Sequence, residues 1–213
     1  MDYNSMNSFQ IKYQNGNIYF GYVKVRVILG KIEKIREGYG KMLYTNGSTF
    51  IGEFLNDKIN GFGIYKNREN RMVYQGYWKN NKREGIGIYY CEDGAYYQGE
   101  WSNNIKQGIG VYAFSDGSKY MGEFKNDIRD GYGIIYGNNS DKYEGQWMND
   151  QGNGIGIYYY NKGEIYVGYW KNGLRDGIGK LTTEDGTEKV GEWKEGQLEE
   201  NEEDKNNKNC IIF

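Results

Sequence analysis

Cys210-Ile211-Ile212-Phe213 closes the sequence with a thiol, two aliphatic side chains and a terminal aromatic. That order fits the C-a-a-X signal, whose chemistry is alkylation of the cysteine sulfur by a prenyl group. A final Phe favours geranylgeranyl over farnesyl, with exceptions. The stretch before it, EENEEDKNNKN, is acidic, rich in Asn and free of apolar side chains. Residues 199–213 are therefore expected to be a disordered tail that delivers Cys210 to a transferase. The mature protein would lose Ile211 to Phe213 and end on the lipidated cysteine. One prenyl chain binds a membrane reversibly, and stable anchoring takes a second signal. Glu199, Glu200, Glu202, Glu203 and Asp204 repel an anionic leaflet, so that signal is expected from the folded part, through a membrane-bound partner or through dimerisation.

Other reactive groups are scarce. Histidine is absent, which removes the commonest general base and metal ligand. Cys91 has no histidine to activate it and reads as an ordinary strand residue. The G-x-G units, such as Gly85-Ile86-Gly87, look like phosphate loops, but those need a helix to open at once, and here a strand pattern follows. No catalytic residue, metal or cofactor is expected, and no small-molecule substrate.

The elements that must carry these residues are legible from composition. The chain has 213 residues, 33 glycines, 23 tyrosines and no proline, and 26% of its residues are charged. Glycine and tyrosine at that density point to turns and strands. A net charge of −2 gives no reason to expect nucleic acid as a partner. The polar start MDYNSMNSFQIKYQ holds no secretory hydrophobic run, and no apolar stretch is long enough to span a membrane. The expected location is cytoplasmic, peripheral to the cytosolic face of a membrane.

Aligning one glycine exposes a repeat. YQGYWKNNKREGIGIYY from Tyr74 is followed by YQGEWSNNIKQGIGVYA from Tyr97, YMGEFKNDIRDGYGIIY from Tyr120, YEGQWMNDQGNGIGIYY from Tyr143 and YVGYWKNGLRDGIGKLT from Tyr166. The marker glycines Gly52, Gly76, Gly99, Gly122, Gly145, Gly168 and Gly191 are spaced 24 and then 23 residues apart. All five tryptophans lie two residues after a marker, and Phe54 and Phe124 take that place in the other copies. Tyr97, Gly99 and Trp101 share one face of a strand, and Gly108, Gly110 and Tyr112 share one face of the return strand after a polar turn, SNNIKQ. Asp93-Gly94 and its counterparts close each hairpin onto the next.

The pattern Y-x-G-x-W-x-N-x(4)-G-x-G resembles the MORN repeat (membrane occupation and recognition nexus). The expected fold is all-β: an elongated, twisted, single-layer antiparallel sheet of about seven hairpins with partial caps. Residues 1–10 read as an N-terminal tail and 11–198 as the repeat sheet. Its first copy, about 19–49, is enlarged, because Gly21 lies 31 residues before Gly52. Glycine at fixed strand positions leaves a slot over which a neighbouring Trp or Tyr ring can lie.

Two surfaces present themselves. Phe62, Ile86, Ile109, Tyr132, Ile155 and Ile178 form one apolar column. Tyr65, Trp78, Tyr89, Trp101, Tyr112, Trp147, Tyr158 and Trp170 lie on the opposite face and are taken as the partner-binding surface. Lys79, Lys82, Arg83, Lys125, Arg129, Lys171 and Arg175 recur in the turns of alternate copies, a basic edge that phosphoinositides could touch. An acid directly follows each arginine, which favours a solvated edge instead. The resemblance implies a non-catalytic scaffold that links a membrane to protein partners, cytoskeletal or cell-division structures among them, and that can form a homodimer. The alternative is a repeat protein that binds phosphoinositides or other anionic lipids.

Overall fold

The computed structural model describes residues 8–199. The acidic tail from residue 200 on and Cys210 lie outside the described residues. All regular structure within them is strand, and it divides into two compact units after Ser115.

The first unit holds β1 (Ser8–Lys12), β2 (Ile18–Ile28), β3 (Lys31–Leu43), β4 (Thr49–Leu55), β5 (Lys58–Lys66), β6 (Met72–Lys79), β7 (Lys82–Tyr90), β8 (Tyr96–Ser102) and β9 (Ile105–Ala113). Each strand pairs antiparallel with its neighbour in the chain. The second unit repeats the plan with β10 (Lys119–Lys125), β11 (Ile128–Tyr136), β12 (Lys142–Met148), β13 (Gln151–Tyr159), β14 (Ile165–Lys171), β15 (Leu174–Thr182), β16 (Glu188–Lys194) and the short β17 (Gln197–Leu198). The first strand starts at Ser8, inside the segment read as a tail, and Phe9 packs against the core cluster.

Turn chemistry sets the register. The polar turn is shorter than SNNIKQ: Asn103 and Asn104 alone form it, with φ of 52° and 74°, and Ile105 already begins β9. Asn56-Asp57, Asn80-Asn81, Asn126-Asp127 and Asn149-Asp150 do the same. Two successive left-handed residues make a type I′ turn, whose twist matches that of the strands it joins, and Asn and Asp tolerate that region best. At the opposite ends a five-residue loop closes on one left-handed position, such as Gly47, whose N–H donates to the Tyr44 carbonyl at 2.9 Å. Asn70 and Ser140 occupy that position in two copies.

The enlarged first copy is a long hairpin around Leu29-Gly30. β2 and β3 stay paired for six rungs, from Val23↔Arg36 out to Ile28↔Lys31. Among the described residues β1 meets β2 no farther along than Tyr22, and β4 meets β3 only from Gly38 on. The Val23↔Arg36 rung is still held by the Asp57 turn, whose N–H donates to the Arg36 carbonyl at 3.1 Å, and the five outer rungs, Lys24↔Ile35 to Ile28↔Lys31, run past the end of β4.

Candidate interaction surface

Each copy buries one face of its strands by laying aromatic rings across glycines. The Tyr97 ring covers the Gly99–Gly110 pair, and a β-carbon on Gly110 would sit 2.5 Å from its Cε2 and Oη. The phenol then donates to the Glu100 carbonyl at 3.0 Å. Tyr74, Tyr120, Tyr143 and Tyr166 repeat both features, while Phe50 fills its slot without a hydroxyl. Burial pushes the phenols of Tyr74 and Tyr120 well above the ordinary tyrosine value, against a smaller opposing pull from Arg83 and Arg129, so they remain donors at neutral pH.

The tryptophans lock one hairpin to the next. Trp101 Nε1 donates to the Gly87 carbonyl of the preceding copy at 3.3 Å, and Trp147, Trp170 and Trp193 do so to Gly133, Gly156 and Gly179. Trp101, Trp147 and Trp170 each also meet two tyrosines edge to face: Trp101 lies 5.6 Å from Tyr74 and 5.2 Å from Tyr97. Every such pair adds about 1 kcal/mol beyond the area it buries.

This packing corrects the expected docking face. Trp101 is 5% exposed, and Trp147 and Trp170 are buried with it, so these indoles are core. Trp78 is half-buried against Phe50 and Tyr74. Tyr65, Tyr89, Tyr112 and Tyr158 are half-buried along the rim of that core. Tyr158 hydrogen-bonds Asp141 at 2.7 Å, and Tyr112 lies 3.8 Å from the half-buried Cys91 sulfur. The rings were bound to collapse onto this face, because the glycines that make room for them all lie on it.

The basic edge is corrected in part. Arg129 places its guanidinium 4.4 Å from the Trp147 ring, pairs with Asp150 at 3.0 Å and donates to the Asp150 carbonyl at 2.7 Å. Arg83 stacks on Trp101 and Arg175 on Trp193 in the same manner, each bonding the carbonyl of the following turn. These arginines cap the aromatic core, a role their planar fork suits. Arg36 does the same over Phe54 and with Asp57, a member of the series that sequence reasoning missed inside the enlarged copy. Lys79, Lys82, Lys125 and Lys171 are exposed at the turns, and Lys82 bonds Asn103.

The opposite face stays open to solvent. A bulge after each marker glycine from Gly52 to Gly168 breaks the ladder there, and Glu53, Glu100, Glu123 and Gln146 bond back to the N–H of Phe62, Ile109, Tyr132 and Ile155. Two copies have tyrosine in place of that acid or amide, Tyr77 and Tyr169. At those copies the exposed apolar area widens into Phe62–Tyr77–Ile86 in the first unit and Ile155–Tyr169–Ile178 in the second. Phe62 and Tyr77 meet edge to face at 5.7 Å, and Ile178 is 68% exposed. On the core side of the second unit an open hollow of about 280 Å³ is lined by Arg129, Trp147, Asp150, Tyr158 and Trp170 among others. Among the described residues no group of three His, Cys, Asp or Glu side chains could hold a metal ion.

The MORN repeat pattern matches residues 33–49, 50–68, 74–96, 97–119, 120–142, 143–165 and 166–188, well over half of the chain. The protein belongs to the MORN-repeat family. The all-β fold of serial hairpins is the one the repeat pattern implied. One relative, MORN repeat-containing protein 3 of Xenopus laevis, is 38% identical over 48 residues, 22% of this chain and 20% of that protein. The match thus spans about a fifth of that relative's length. Among solved structures, the MORN repeats here are similar to the CPAP G-box domain, with a TM-score of 0.45 and 12% identity over 86% of this chain and 97% of that one. They are also similar to the SAS-4 TCP domain of Drosophila melanogaster, with a TM-score of 0.38 and 15% identity over 89% of this chain and 92% of that one.

Proposed function

We propose that this MORN-repeat protein is a non-catalytic scaffold, tethered to the cytosolic face of a membrane by a prenyl group on Cys210. It would hold protein partners against its outward sheet face. The observation that carries this reading is the outward apolar area at Phe62–Tyr77–Ile86 and again at Ile155–Tyr169–Ile178. Those side chains contribute little to the fold, whose core lies on the other face. Ordered, exposed apolar area of this kind is what a recognition surface offers. The corrected surface replaces the tryptophan face expected from sequence.

Two readouts test the proposal in the protein's own cell. Photocrosslinking residues placed at Tyr77 and Tyr169 should capture the same partner, while one placed at the exposed Lys162 should not. Intact mass should show a prenyl chain and the loss of three residues, with Cys210→Ser moving to the soluble fraction. An unmodified C-terminus with unchanged fractionation removes the tether. Crosslinks that appear equally at Lys162, or at none of the three, remove the docking face.

A further inference from the structure

The projecting hairpin of β2 and β3 spends its outer rungs on side chains that no fold needs. Val25, Val27, Ile28, Leu29 and Ile32 are all exposed, and Leu29, at the apex, is 97% exposed. Around them stand Lys24, Arg26, Lys31 and Lys34, against the single carboxylate of Glu33. None of Lys24, Arg26 and Lys31 has an ion-pair partner among the described residues, and Lys34 lies 4.4 Å over the Phe9 ring. In a chain of net charge −2 this is a local concentration of positive charge set directly behind an apolar tip.

We propose that this hairpin is a membrane-inserting finger that enters an anionic lipid surface with Leu29 leading. An apolar apex with cations a few residues behind it matches the two layers of a leaflet, acyl chains below and anionic headgroups above. The finger extends roughly 20 Å beyond Val23 at the usual strand rise, enough to seat the apex while the sheet stays in water. With Leu29 immersed, Lys31 beside the apex extends its long side chain up to the headgroups, and Arg26 and Lys24 follow about 10 and 17 Å behind Leu29. The arrangement supplies the second signal that a single lipid anchor requires, and so deepens the membrane-tethered reading above. It is separate from the turns of the repeats, whose arginines are engaged with the core.

The test is flotation of the full, unprenylated chain made in bacteria with phosphatidylcholine vesicles, with and without phosphatidylserine. Binding should require phosphatidylserine and weaken strongly at ~1 M salt, where the screening length is about 3 Å. Lys24→Gln, Arg26→Gln and Lys31→Gln together should weaken it about a hundredfold, at about fivefold per charge. Leu29→Asn with Ile32→Thr should cost on the order of tenfold or more. Asn accepts the left-handed conformation of Leu29, φ 49°, so the turn survives, and unchanged circular dichroism verifies it. Absent binding, or equal binding by all variants, overturns the proposal. So does a concentration-dependent dimer that the apolar pair abolishes without any effect of lipid, which would make the finger a contact between copies. The chain tested carries no prenyl group, so failure here leaves the Cys210 tether standing, and an unlipidated Cys210 leaves the finger standing.

Discussion

The Tyr97 ring occupies the space that a side chain on Gly110 would need, and its hydroxyl is held there by the Glu100 carbonyl at 3.0 Å. Neither partner can give way, because the ring is buried and the glycines beneath it are paired backbone. Gly110→Ala should therefore destabilise the protein by about 3 kcal/mol, the upper part of the usual overpacking range. Gly94→Ala, at a turn with open space around the added carbon, should cost only about 1 kcal/mol through its positive φ. Urea unfolding of the two variants side by side checks the difference.

Removing only the hydroxyl is a milder change. Tyr97→Phe should cost about 1 kcal/mol, one buried hydrogen bond to a carbonyl, and leave the fold intact as Phe50 does in its own copy. A loss as large as that of Gly110→Ala would mean that the hydroxyl, and not the ring, holds the slot.

Arg129→Lys keeps the charge but loses the planar contact with Trp147 and the two-point bond to Asp150. A loss of about 1–2 kcal/mol is expected. Lys125→Ala, at an exposed turn position four residues away, should stay within about 0.5 kcal/mol. Equal effects in thermal unfolding would return the arginine to the solvated edge.

Ser140 sits at φ 71° where most copies carry glycine. Ser140→Gly should raise stability by roughly 0.5–1 kcal/mol, since the strain relieved exceeds the added chain entropy of a glycine. A lower melting temperature would show that the Ser140 side chain supports the turn.

Alkaline pH attacks the core directly. Burial holds the Tyr19 phenol up at about 12, and Tyr74, Tyr120 and Tyr143 are also raised, against about 10 in an unfolded chain. Above pH 10 the unfolded state therefore holds fewer protons than the folded one. Stability present in full below that pH falls as pH rises towards 12, by roughly 1 kcal/mol per buried tyrosine per pH unit. Urea midpoints should be flat from neutral to about pH 9 and drop steeply beyond pH 10. A flat profile through that window would place these rings in water.

The repeat, its two-strand plan and the ring-over-glycine slot could be read from residues alone, because period two and fixed Gly spacing encode them directly. Which face becomes core was not so plain, since aromatic and aliphatic columns alternate on both. Two signals were present: Gly99 and Gly110 lie on the Trp101 face, and Gln98 and Glu100 lie on the other. The arginine caps were harder. Arg129 is followed by Asp130, which suggested local neutralisation, yet its partner is Asp150, brought near only by the next turn. The finger was visible as an insertion, but its reach depends on where β4 stops pairing with β3.

The same finger shows where this architecture accepts new sequence. Its extra rungs grow outward from a two-residue turn, while Tyr19 and Phe54 still meet edge to face at 5.2 Å beneath it. Asn103-Asn104, Asn126-Asp127 and Asn149-Asp150 are the matching turns of later copies. Each is a natural socket for a grafted hairpin or epitope, and a graft there would leave the cross-strand glycine pairs under the rings in place, as Gly21 and Gly40 are beneath the finger.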